Sequence, residues 1–433
     1  MSISELYQLY LSCNGITTDS RNCPMGAMFI ALKGDKFNGN AFASKALEEG
    51  CAYAVVDEAS CIPSGGDKRF ILVENGLATL QQLAHYHRME LKTPLIGITG
   101  TNGKTTTKEL MAAVLSTKYN LLYTQGNLNN DIGVPLTLLR LKPEHQLGIV
   151  EMGASHPGDI QTLVQIAEPD YGLITNVGKA HLEGFGSLEG VIRTKGELFD
   201  YLRQQQKSTI FLYKDGPYLQ EMAEGLEPVC YGNGTGLFVS GRVTGNSPFL
   251  AFQWRHDEQG QPHHVQTRLI GEYNYPNALA AVAVGCYFDV EPEQIDKALA
   301  SYNPVNNRSQ LKQTEDNTLI IDAYNANPTS MMAAISNFYK IQAENKQLIL
   351  GDMRELGKES AEEHQKIINY LEECGFKDVI LVGSQFAATR HFYNTFPDAP
   401  ALITALQQHK PAGKTILIKG SNSLRLNSVA DYL

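Results

Sequence analysis

The feature that most constrains the fold of this chain is a glycine-rich turn between an apolar segment and an amphipathic helix. The segment LIGI (95–98) is followed by GTNGKTTT (100–107), and the next apolar residues are Leu110, Met111, Val114 and Leu115. Spacings of one, three and four residues place these four on one face of a helix. A strand, a glycine-rich turn and a helix in this order predict a phosphate-binding loop, because backbone N–H groups and the helix N-terminus attract phosphate oxygens.

Within this turn, Lys104 is expected to reach the terminal phosphates of a nucleotide, and the Thr105 hydroxyl to bind Mg²⁺. The usual pattern, G-x4-GK[ST], requires glycine at position 98, where this chain has Ile98. A glycine-rich turn with a chance GKT sequence is the alternative. The flanking strand and helix favour the phosphate loop, and its predicted nucleotide-binding residues are Gly100, Thr101, Asn102, Gly103, Lys104, Thr105 and Thr106.

Composition and charge exclude several classes of protein. A hydrophobic fraction of 43% with 19% charged residues is typical of a folded chain, and the net charge of −10 argues against a nucleic-acid partner. Seven cysteines without a CxxC pair favour a reducing compartment. The longest apolar run, 278–288, has 11 residues, too few to cross a bilayer. We therefore expect a cytoplasmic protein without a membrane span.

The pattern of segments predicts an α/β protein of three domains, since about 150 residues per domain gives two to four for this length. Residues 1–91 mix short strand-like runs with one helical stretch at 42–49 and form a small mixed α/β domain. Residues 92–306 alternate strands and helices, as in a parallel-sheet phosphate-loop domain, and carry a hairpin at 248–270. Residues 307–433 repeat the alternation and predict a Rossmann-like, doubly wound domain.

Two residues that follow strand-like segments are candidate metal ligands. LGIVE (147–151) ends in Glu151, and the loop within ITNVGKAHLEGFGS (174–187) contains His181. The carboxyl ends of parallel strands meet at one sheet edge, so both side chains are expected near a phosphate loop in the same domain. A strand-end charge and a structural histidine are the alternatives, and imidazole suits Mg²⁺ less well than carboxylate does.

Other motifs carry less information. No GxSxG sequence occurs, so the nucleophile elbow of a serine hydrolase is unsupported. The glycines at 232, 234 and 236 precede a strand-like segment, which favours a flexible turn over a dinucleotide-binding motif. The segment LILGDMRELG (348–357) either binds phosphate or only turns the chain.

A series of motifs resembles the Mur ligases in order and spacing, from residue 17 to residue 421. The motifs are GITGTNGKTTTKE (97–109), GNLNNDIGVPLTL (126–138), EMGASHPGDI (151–160), ITNVGKAHLEGFGS (174–187), TKGELF (194–199), GEYNYPNALAA (271–281), NNRSQ (306–310), IDAYNANPTS (321–330) and KGS (419–421). GTNGKT also occurs in folylpolyglutamate synthetases. DAYNANPTS, EMGAS and GNLNN are typical of the family members that add D-alanyl-D-alanine, and the DNPR motif of the diaminopimelate-adding members is absent.

The resemblance implies an ATP-dependent ligase of peptidoglycan precursor synthesis. Its substrates would be UDP-N-acetylmuramoyl-tripeptide and D-alanyl-D-alanine, its cofactors ATP and two Mg²⁺ ions, and its reaction would pass through an acyl phosphate. The first domain would bind the UDP-sugar peptide, the central domain ATP, and the last domain the incoming dipeptide. Family members often have DGH where this chain has Asn38-Gly39-Asn40, so the resemblance does not determine the detailed contacts of the UDP-binding domain. We expect a monomer.

The resemblance also assigns roles by motif position. Catalytic roles fall to Lys104, Lys195, His181 and Arg308, and metal binding to Thr105, Glu151, His181 and Lys195, with Lys195 carbamylated. Nucleotide contacts outside the phosphate loop are Asn277 to adenine, Arg308 to the terminal phosphate and Asp322 to ribose. Substrate contacts are Ser20, Arg21, Asn127, Asn129, Asn130, Ser155, Asn325 and Asn327.

Each assignment has a plainer alternative. Asn277 could cap a helix, Arg308 could pair with Asp322, and Lys195 could be an exposed helical lysine near Glu197. At the level of the whole chain, the alternatives are another ligase of the superfamily, diamino-acid-adding or of folylpolyglutamate type, and a non-enzymatic nucleotide switch built on the same loop.

Overall fold

Three β-sheets flanked by helices organise the chain in the computed structural model, which describes residues 1–34, 37–246, 248–304 and 308–433. The first sheet has four strands, the second nine and the third six, and a two-stranded ribbon accompanies the first. The three-domain α/β architecture is confirmed. The predicted boundary at 306/307 lies outside the described residues, and the predicted boundary at 91/92 falls where a helix ends. No helix in the described part of the chain is both long and apolar enough to cross a membrane.

The first unit is a parallel four-stranded sheet covered by helices. Its elements are α1 (Ile3–Leu11), β1 (Ile16–Thr17), β2 (Met28–Ile30), β3 (Lys33–Gly34), β4 (Phe37–Asn38), α2 (Ala43–Glu48), β5 (Tyr53–Val56), β6 (Phe70–Leu72) and α3 (Gly76–Leu91). The sheet order is β1-β2-β5-β6. The prediction of a single helix here is wrong: α1 begins at a capping box formed by Ser2 and Glu5, and the Asn75 side chain caps α3.

The second unit contains the phosphate loop. Its elements are β7 (Leu95–Thr99), α4 (Lys104–Leu115), β8 (Leu121–Tyr123), α5 (Gly133–Leu138), β9 (Leu147–Glu151), α6 (Asp159–Ala167), β10 (Tyr171–Ile174), α7 (Leu182–Phe185), α8 (Leu188–Arg203), β11 (Thr209–Tyr213), α9 (Leu219–Met222), β12 (Pro228–Gly232), β13 (Val239–Asn246), β14 (Phe249–His256), β15 (His263–Ile270), α10 (Tyr275–Tyr287) and α11 (Pro292–Ser301). The predicted hairpin is β14–β15, which extends the sheet through β13 with antiparallel pairing.

The order of the central sheet explains where a ligand can bind. Strands follow the order β15-β14-β13-β12-β11-β10-β7-β9-β8, so β7 lies between β9 and β10. The chain passes from β7 to the edge strand β8, returns to β9 beside β7, and then crosses to β10 on the other side. In such sheets the crevice at the carboxyl ends of the strands where the winding reverses is the ligand site. The turn after β7 is the predicted phosphate loop, and the helix that follows it buries Leu110, Met111, Val114 and Leu115 completely, as its apolar pattern predicts.

The third unit has the order β16-β17-β21-β18-β19-β20. Its elements are β16 (Gln310–Gln313), β17 (Asn317–Asp322), α12 (Pro328–Lys340), β18 (Lys346–Gly351), α13 (Ser360–Glu373), β19 (Val379–Val382), α14 (Ser384–Ala387), β20 (Asn394–Phe396), α15 (Ala399–Gln408) and β21 (Lys414–Lys419). The alternation predicted from the sequence corresponds to β17, β18, β19 and β21, which pair in parallel at the centre of this sheet. The edge strands β16 and β20 were not predicted, because they are short and mostly polar.

Helix α3 joins the first unit to the second through a buried arginine. The Arg88 side chain is 5% exposed; its Nε donates to the Ala167 carbonyl at 3.1 Å, and its Nη2 donates to the Glu168 carbonyl at 3.2 Å and to Asp170 Oδ2 at 3.0 Å. The same Asp170 oxygen accepts from the Leu95 backbone N–H at 2.8 Å, at the start of β7. One guanidinium group thus fixes the first unit to the loop between α6 and β10.

Arg88→Met is expected to lower the free energy of unfolding by about 1–3 kcal/mol, because two carbonyls and a carboxylate lose their donor while the apolar volume is kept. Chemical denaturation followed by circular dichroism measures the change. Arg69→Met is the matched control, since it removes a half-exposed pair with Asp67 and should cost less than about 0.5 kcal/mol. Equal losses in the two variants would contradict the role given to Arg88.

Candidate functional site

All three units line one cavity of about 810 Å³ at the carboxyl ends of the central strands. Helix α3 contributes Gln81, and the central unit contributes the phosphate loop and the loops after β8, β9 and β10. The third unit closes the other side with residues just before β16, residues at and after the end of β17, one residue in the loop after β18 and the last residue of β21. The predicted site residues that line it are Thr101, Asn102, Gly103, Lys104, Thr105, Thr106, Asn127, Asn129, Asn130, Glu151, Ser155, His181, Asn277, Arg308, Asp322 and Asn325.

The phosphate loop turns tightly at two glycines. Gly100 has φ +137° and Gly103 has φ +80°, and a Cβ at Gly103 would come within 2.6 Å of Asn277 Oδ1. The Lys104 ammonium folds back over the loop and donates to the Gly100 carbonyl at 2.6 Å and the Thr101 carbonyl at 3.1 Å. Burial lowers the pKa of Lys104 to about 8, the Arg308 guanidinium adds to this, and the Glu151 carboxylate opposes it.

Glu151 ends β9 as a buried carboxylate, 1% exposed. The Thr105 hydroxyl lies 3.0 and 3.2 Å from its two oxygens, and Asn129 Nδ2 donates to Oε1 at 2.8 Å. The end of β9, the phosphate loop and the loop after β8 therefore meet at the Glu151 carboxylate. The predicted metal ligands Thr105 and Glu151 are adjacent, as the sheet-edge argument expects.

Asn277 lies in the first turn of α10 and does not cap that helix, whose N-cap is Asn274. Its Nδ2 donates to Asn274 Oδ1 at 3.0 Å, and its Oδ1 accepts from the Thr107 hydroxyl at 3.1 Å. The alternative that Asn277 caps a helix is therefore wrong. The Asn277 side-chain amide instead packs against the phosphate loop at Gly103.

Lys195 is a buried side chain of α8, 2% exposed, which excludes the alternative of an exposed helical lysine. Its Nζ lies 3.4 Å from the Ala154 carbonyl and 5.3 Å from the centre of the Phe185 ring. Burial lowers the pKa of Lys195 well below its usual value; the Lys104 ammonium adds to this and the Asp159 carboxylate opposes it. The side chain lies behind Ala154, which lines the cavity.

The third unit contributes two cationic side chains to the cavity wall: Arg308 packs on an aromatic ring, and Lys419 pairs with a carboxylate. The Arg308 guanidinium carbon stacks 3.8 Å from the centre of the Tyr324 ring. Asp322, at the end of β17, accepts from Lys419 Nζ at 2.7 Å, and the two residues are register partners in adjacent strands. The predicted alternative of an Arg308–Asp322 pair is wrong, because Lys419 holds that carboxylate. The Lys419 ammonium also reaches the Asn325 carbonyl at 3.2 Å.

The remaining predicted asparagines and Ser155 shape the loops around the cavity. Asn130 Oδ1 accepts from the Gly133 N–H at 2.8 Å, and the Ser155 N–H donates to Asp159 Oδ2 at 2.8 Å. Asn327 caps α12 and does not line the cavity, but its Nδ2 donates to Asn102 Oδ1 at 2.8 Å. This amide pair joins the third unit to the phosphate loop.

The structure does not bring Ser20 and Arg21 to the cavity. Ser20 is buried, and Arg21 is exposed and pairs with Asp19 at 2.8 Å. Asn40, of the Asn38-Gly39-Asn40 segment, is 1% exposed, and its Nδ2 donates to Asp57 Oδ1 at 2.7 Å, so this side chain supports the turn.

Sequence reasoning missed several residues of the cavity. Those with polar side chains are Gln81, Asp131, Asp159, Thr162, Asn176, Tyr273, Asn274, Ser309, Tyr324, Thr329, Ser330, Glu355 and Lys419. All of them except Gln81 and Thr162 lie in segments that the sequence analysis had singled out, but none had been given a role. Glu355 belongs to LILGDMRELG, where phosphate binding and a plain turn were left open, and Lys419 begins KGS.

Comparisons with known proteins agree with this geometry. Residues 12–88 match the Mur ligase family, catalytic domain; residues 98–285 match the Mur ligase middle domain; residues 307–422 match the Mur ligase, glutamate ligase domain. UDP-N-acetylmuramoyl-tripeptide–D-alanyl-D-alanine ligase of Bacillus subtilis is 33% identical over 97% of this chain and 93% of its own length. The enzyme of that name from Escherichia coli is 34% identical over 99% and 95%.

Solved structures show the same fold over the whole chain. MurF from Acinetobacter baumannii superposes with a TM-score of 0.86 at 30% identity and covers 100% of this chain and 98% of its own. MurF ligase from Thermotoga maritima, in complex with ADP, superposes with a TM-score of 0.85 at 25% identity, covering 98% and 97%. The resemblance seen in the motifs is confirmed, and the chain belongs to the Mur ligase family.

Proposed function

We propose that this chain is an ATP-dependent ligase that joins D-alanyl-D-alanine to the C-terminal carboxylate of UDP-N-acetylmuramoyl-tripeptide in peptidoglycan precursor synthesis. The observation that carries the proposal is the cavity of about 810 Å³, in which a phosphate loop, a buried carboxylate and the polar walls of two further units meet. Relatives named for this reaction, at 33–35% identity over at least 97% of the chain, support the choice of substrates.

The reaction needs an activated carboxylate, because a carboxylate oxygen is a poor leaving group. ATP transfers its γ-phosphoryl group to the tripeptide carboxylate, the amine of the dipeptide attacks the acyl phosphate, and phosphate leaves as the amide forms. Both partners of the first step are anions, so positioning and positive charge supply most of the acceleration. A cavity walled by three units also keeps water from the acyl phosphate.

The chain's own cations have separate tasks in this scheme. Lys104, at the N-terminus of α4, would hold the terminal phosphates, and Arg308, stacked on Tyr324, would approach the γ-phosphoryl group from the opposite wall. Asn277 would contact adenine. Asp322, held by Lys419, would accept from the ribose hydroxyls.

The donors around Glu151 fit Mg²⁺. In the described chain no group of three His, Cys, Asp or Glu side chains could hold a metal alone. Mg²⁺ is commonly bound through one or two carboxylates, with phosphate oxygens and water completing the octahedron, and the Glu151 carboxylate beside the Thr105 hydroxyl matches that need. Bound there, the ion would neutralise charge between the phosphates and the attacking carboxylate. His181 and Lys195 would serve a second ion.

Lys195 is proposed to be carbamylated. As an ammonium it could not bind a cation, whereas a carbamate presents two oxygens and a negative charge. The neutral amine attacks the carbon of CO₂, the N–C bond forms, an electron pair moves to oxygen and the amine proton leaves to solvent. A buried lysine whose pKa lies well below its usual value supplies more of the neutral amine than an exposed lysine does at the same pH.

The outer units would bind the rest of the substrates. The first unit, with Ser20 and Arg21, would hold the UDP end, while Asn127, Asn129, Asn130 and Ser155 line the path of the peptide toward the phosphate loop. The third unit, with Asn325 and Asn327, would receive the dipeptide. A cytoplasmic monomer and the boundaries at 91/92 and 306/307 stay predictions.

Two other functions are less well supported. A diaminopimelate-adding ligase and a folylpolyglutamate synthase superpose with TM-scores of 0.55 and 0.61 at 16% and 14% identity, which shows a shared fold alone. A nucleotide switch would leave the cavity walls of the first and third units without a purpose.

ADP release is expected only when ATP, UDP-N-acetylmuramoyl-tripeptide and D-alanyl-D-alanine are present together, because the dipeptide amine must consume the acyl phosphate for turnover to continue. A coupled ADP assay, with mass spectrometry of the product, measures this. Glutamate and diaminopimelate replace the dipeptide as controls. Turnover with either amino acid, or ATP hydrolysis independent of the muramoyl peptide, would contradict the proposal.

Lys104→Met is expected to lower kcat by at least about 10²–10³-fold, because a donor to the transferring phosphoryl group is lost. Lys142→Met, at an exposed lysine, is the matched control and should leave kcat unchanged. Circular dichroism establishes that both variants are folded. Wild-type turnover in folded Lys104→Met protein would overturn the assignment.

Carbamylation of Lys195 is expected to give a ¹³C carbamate resonance when the protein is equilibrated with ¹³C-bicarbonate. The resonance should disappear in Lys195→Ala and persist in Lys207→Ala, an exposed lysine beyond the end of α8. A short carboxylic acid should restore part of the lost turnover of Lys195→Ala. A wild-type protein without the resonance, or full turnover by Lys195→Ala, would exclude the modification.

A further inference from the structure

Two non-glycine residues with left-handed backbone conformations meet across the boundary between the central and third units. His181, which precedes α7, has φ +49°, and Glu355, in the loop after β18, has φ +61°. Such conformations are uncommon outside glycine and concentrate where function requires them. Glu355 Oε2 contacts His181 Nδ1.

The backbone and neighbouring side chains dock the same two loops. The Glu183 N–H donates to the Glu355 carbonyl at 3.2 Å. Two residues before His181, Lys179 Nζ lies 2.8 Å from Glu363 Oε1 and 3.3 Å from Glu359 Oε2. The contact between His181 and Glu355 is therefore part of a docked surface and not an isolated pair.

The loop that carries Glu355 is fixed within the third unit. The Met353 N–H donates to His364 Nε2 at 3.0 Å, and the other nitrogen of this fully buried ring lies 2.7 Å from the Ser360 carbonyl. The Asp352 carboxylate accepts from the backbone N–H groups of Gln385 and Phe386 at 3.0 and 2.9 Å. Glu355 thus moves with the third unit as a whole.

We propose that Glu355 is a positioning residue, which sets the tautomer of His181 when the third unit docks on the central unit. A carboxylate at Nδ1 keeps the proton on that nitrogen, so Nε2 presents its lone pair. This is the form in which histidine binds a metal, and a carboxylate partner on the other nitrogen also raises the basicity of the ligand. Because the two residues belong to different units, only the docked protein holds His181 in the required form.

The inference rests on the proposed function for its catalytic consequence, but its direct test needs neither ATP nor metal. In full-length protein labelled with ¹⁵N-histidine, at a pH where imidazole is neutral, His181 is expected to carry its proton on Nδ1. Glu355→Ala should shift the proton to Nε2, the form that free histidine favours in water. Glu355→Gln should keep it on Nδ1, since an amide oxygen also accepts. His181→Gln assigns the resonance among the 11 histidines.

Kinetics supply the second readout. In Glu355→Ala the Mg²⁺ concentration that gives half-maximal turnover should rise about 10–100-fold, with an unchanged KM for D-alanyl-D-alanine, and Glu355→Gln should show a smaller rise. The Glu355 side chain is 58% exposed, so the variants are expected to fold. If Glu355→Ala nevertheless unfolds, the half-maximal Mg²⁺ concentration of Glu355→Gln is compared with that of the wild type instead.

Glu359→Gln is the matched control. It removes one of the two carboxylates around Lys179 on the same docked surface without touching His181, so the tautomer and the Mg²⁺ dependence should stay those of the wild type. A proton on Nε2 in the wild-type protein, an unchanged tautomer in Glu355→Ala, or an equal shift in Glu359→Gln would overturn the proposal. Failure of the wild-type enzyme to release ADP with its substrates would instead overturn the proposed function and leave the tautomer result standing.

Discussion

The buried carboxylate of Glu151 is the constraint on which the site depends. A carboxylate removed from water is costly unless hydrogen bonds compensate it. Here the compensation comes from Thr105 in the phosphate loop and Asn129 in the loop after β8, and both bind the same group. Three segments distant in sequence are therefore held in one arrangement by one charge. The position of Glu151 follows from the order of the central sheet, which places the ends of β7 and β9 side by side.

The contacts of the third unit with the central unit are polar where they border the cavity. Asn102 pairs with Asn327, Lys179 with Glu363, and His181 with Glu355. Polar surfaces of this kind can part and re-form without exposing a large apolar area, so relative movement of the two units is the physical expectation. The roles proposed for Lys104 on one wall and Arg308 on the other would therefore require the docked arrangement.

Secondary-structure elements that are encoded by the pattern of apolar residues in a short stretch of sequence could be predicted. The apolar face of α4, the strand that ends in Glu151 and the hairpin after residue 248 are encoded within short windows. Other features depend on packing between distant segments. Burial of Lys195 is fixed by Ala154 and Phe185, and the partner of Asp322 by the register of β17 with β21. No spacing rule identifies Glu355, because its role exists only where two units meet.

The Arg88 contact makes the cavity asymmetric. One wall is held by a buried guanidinium group with three acceptors, whereas the opposite wall is held by amide pairs and partly exposed ion pairs. If the first unit binds the UDP-sugar end as proposed, opening at the weaker wall would uncover the newly joined end of the product while the UDP-sugar end stays bound. The third unit would then move relative to a fixed first unit, and the newly joined end of this one product molecule would reach solvent before its other end.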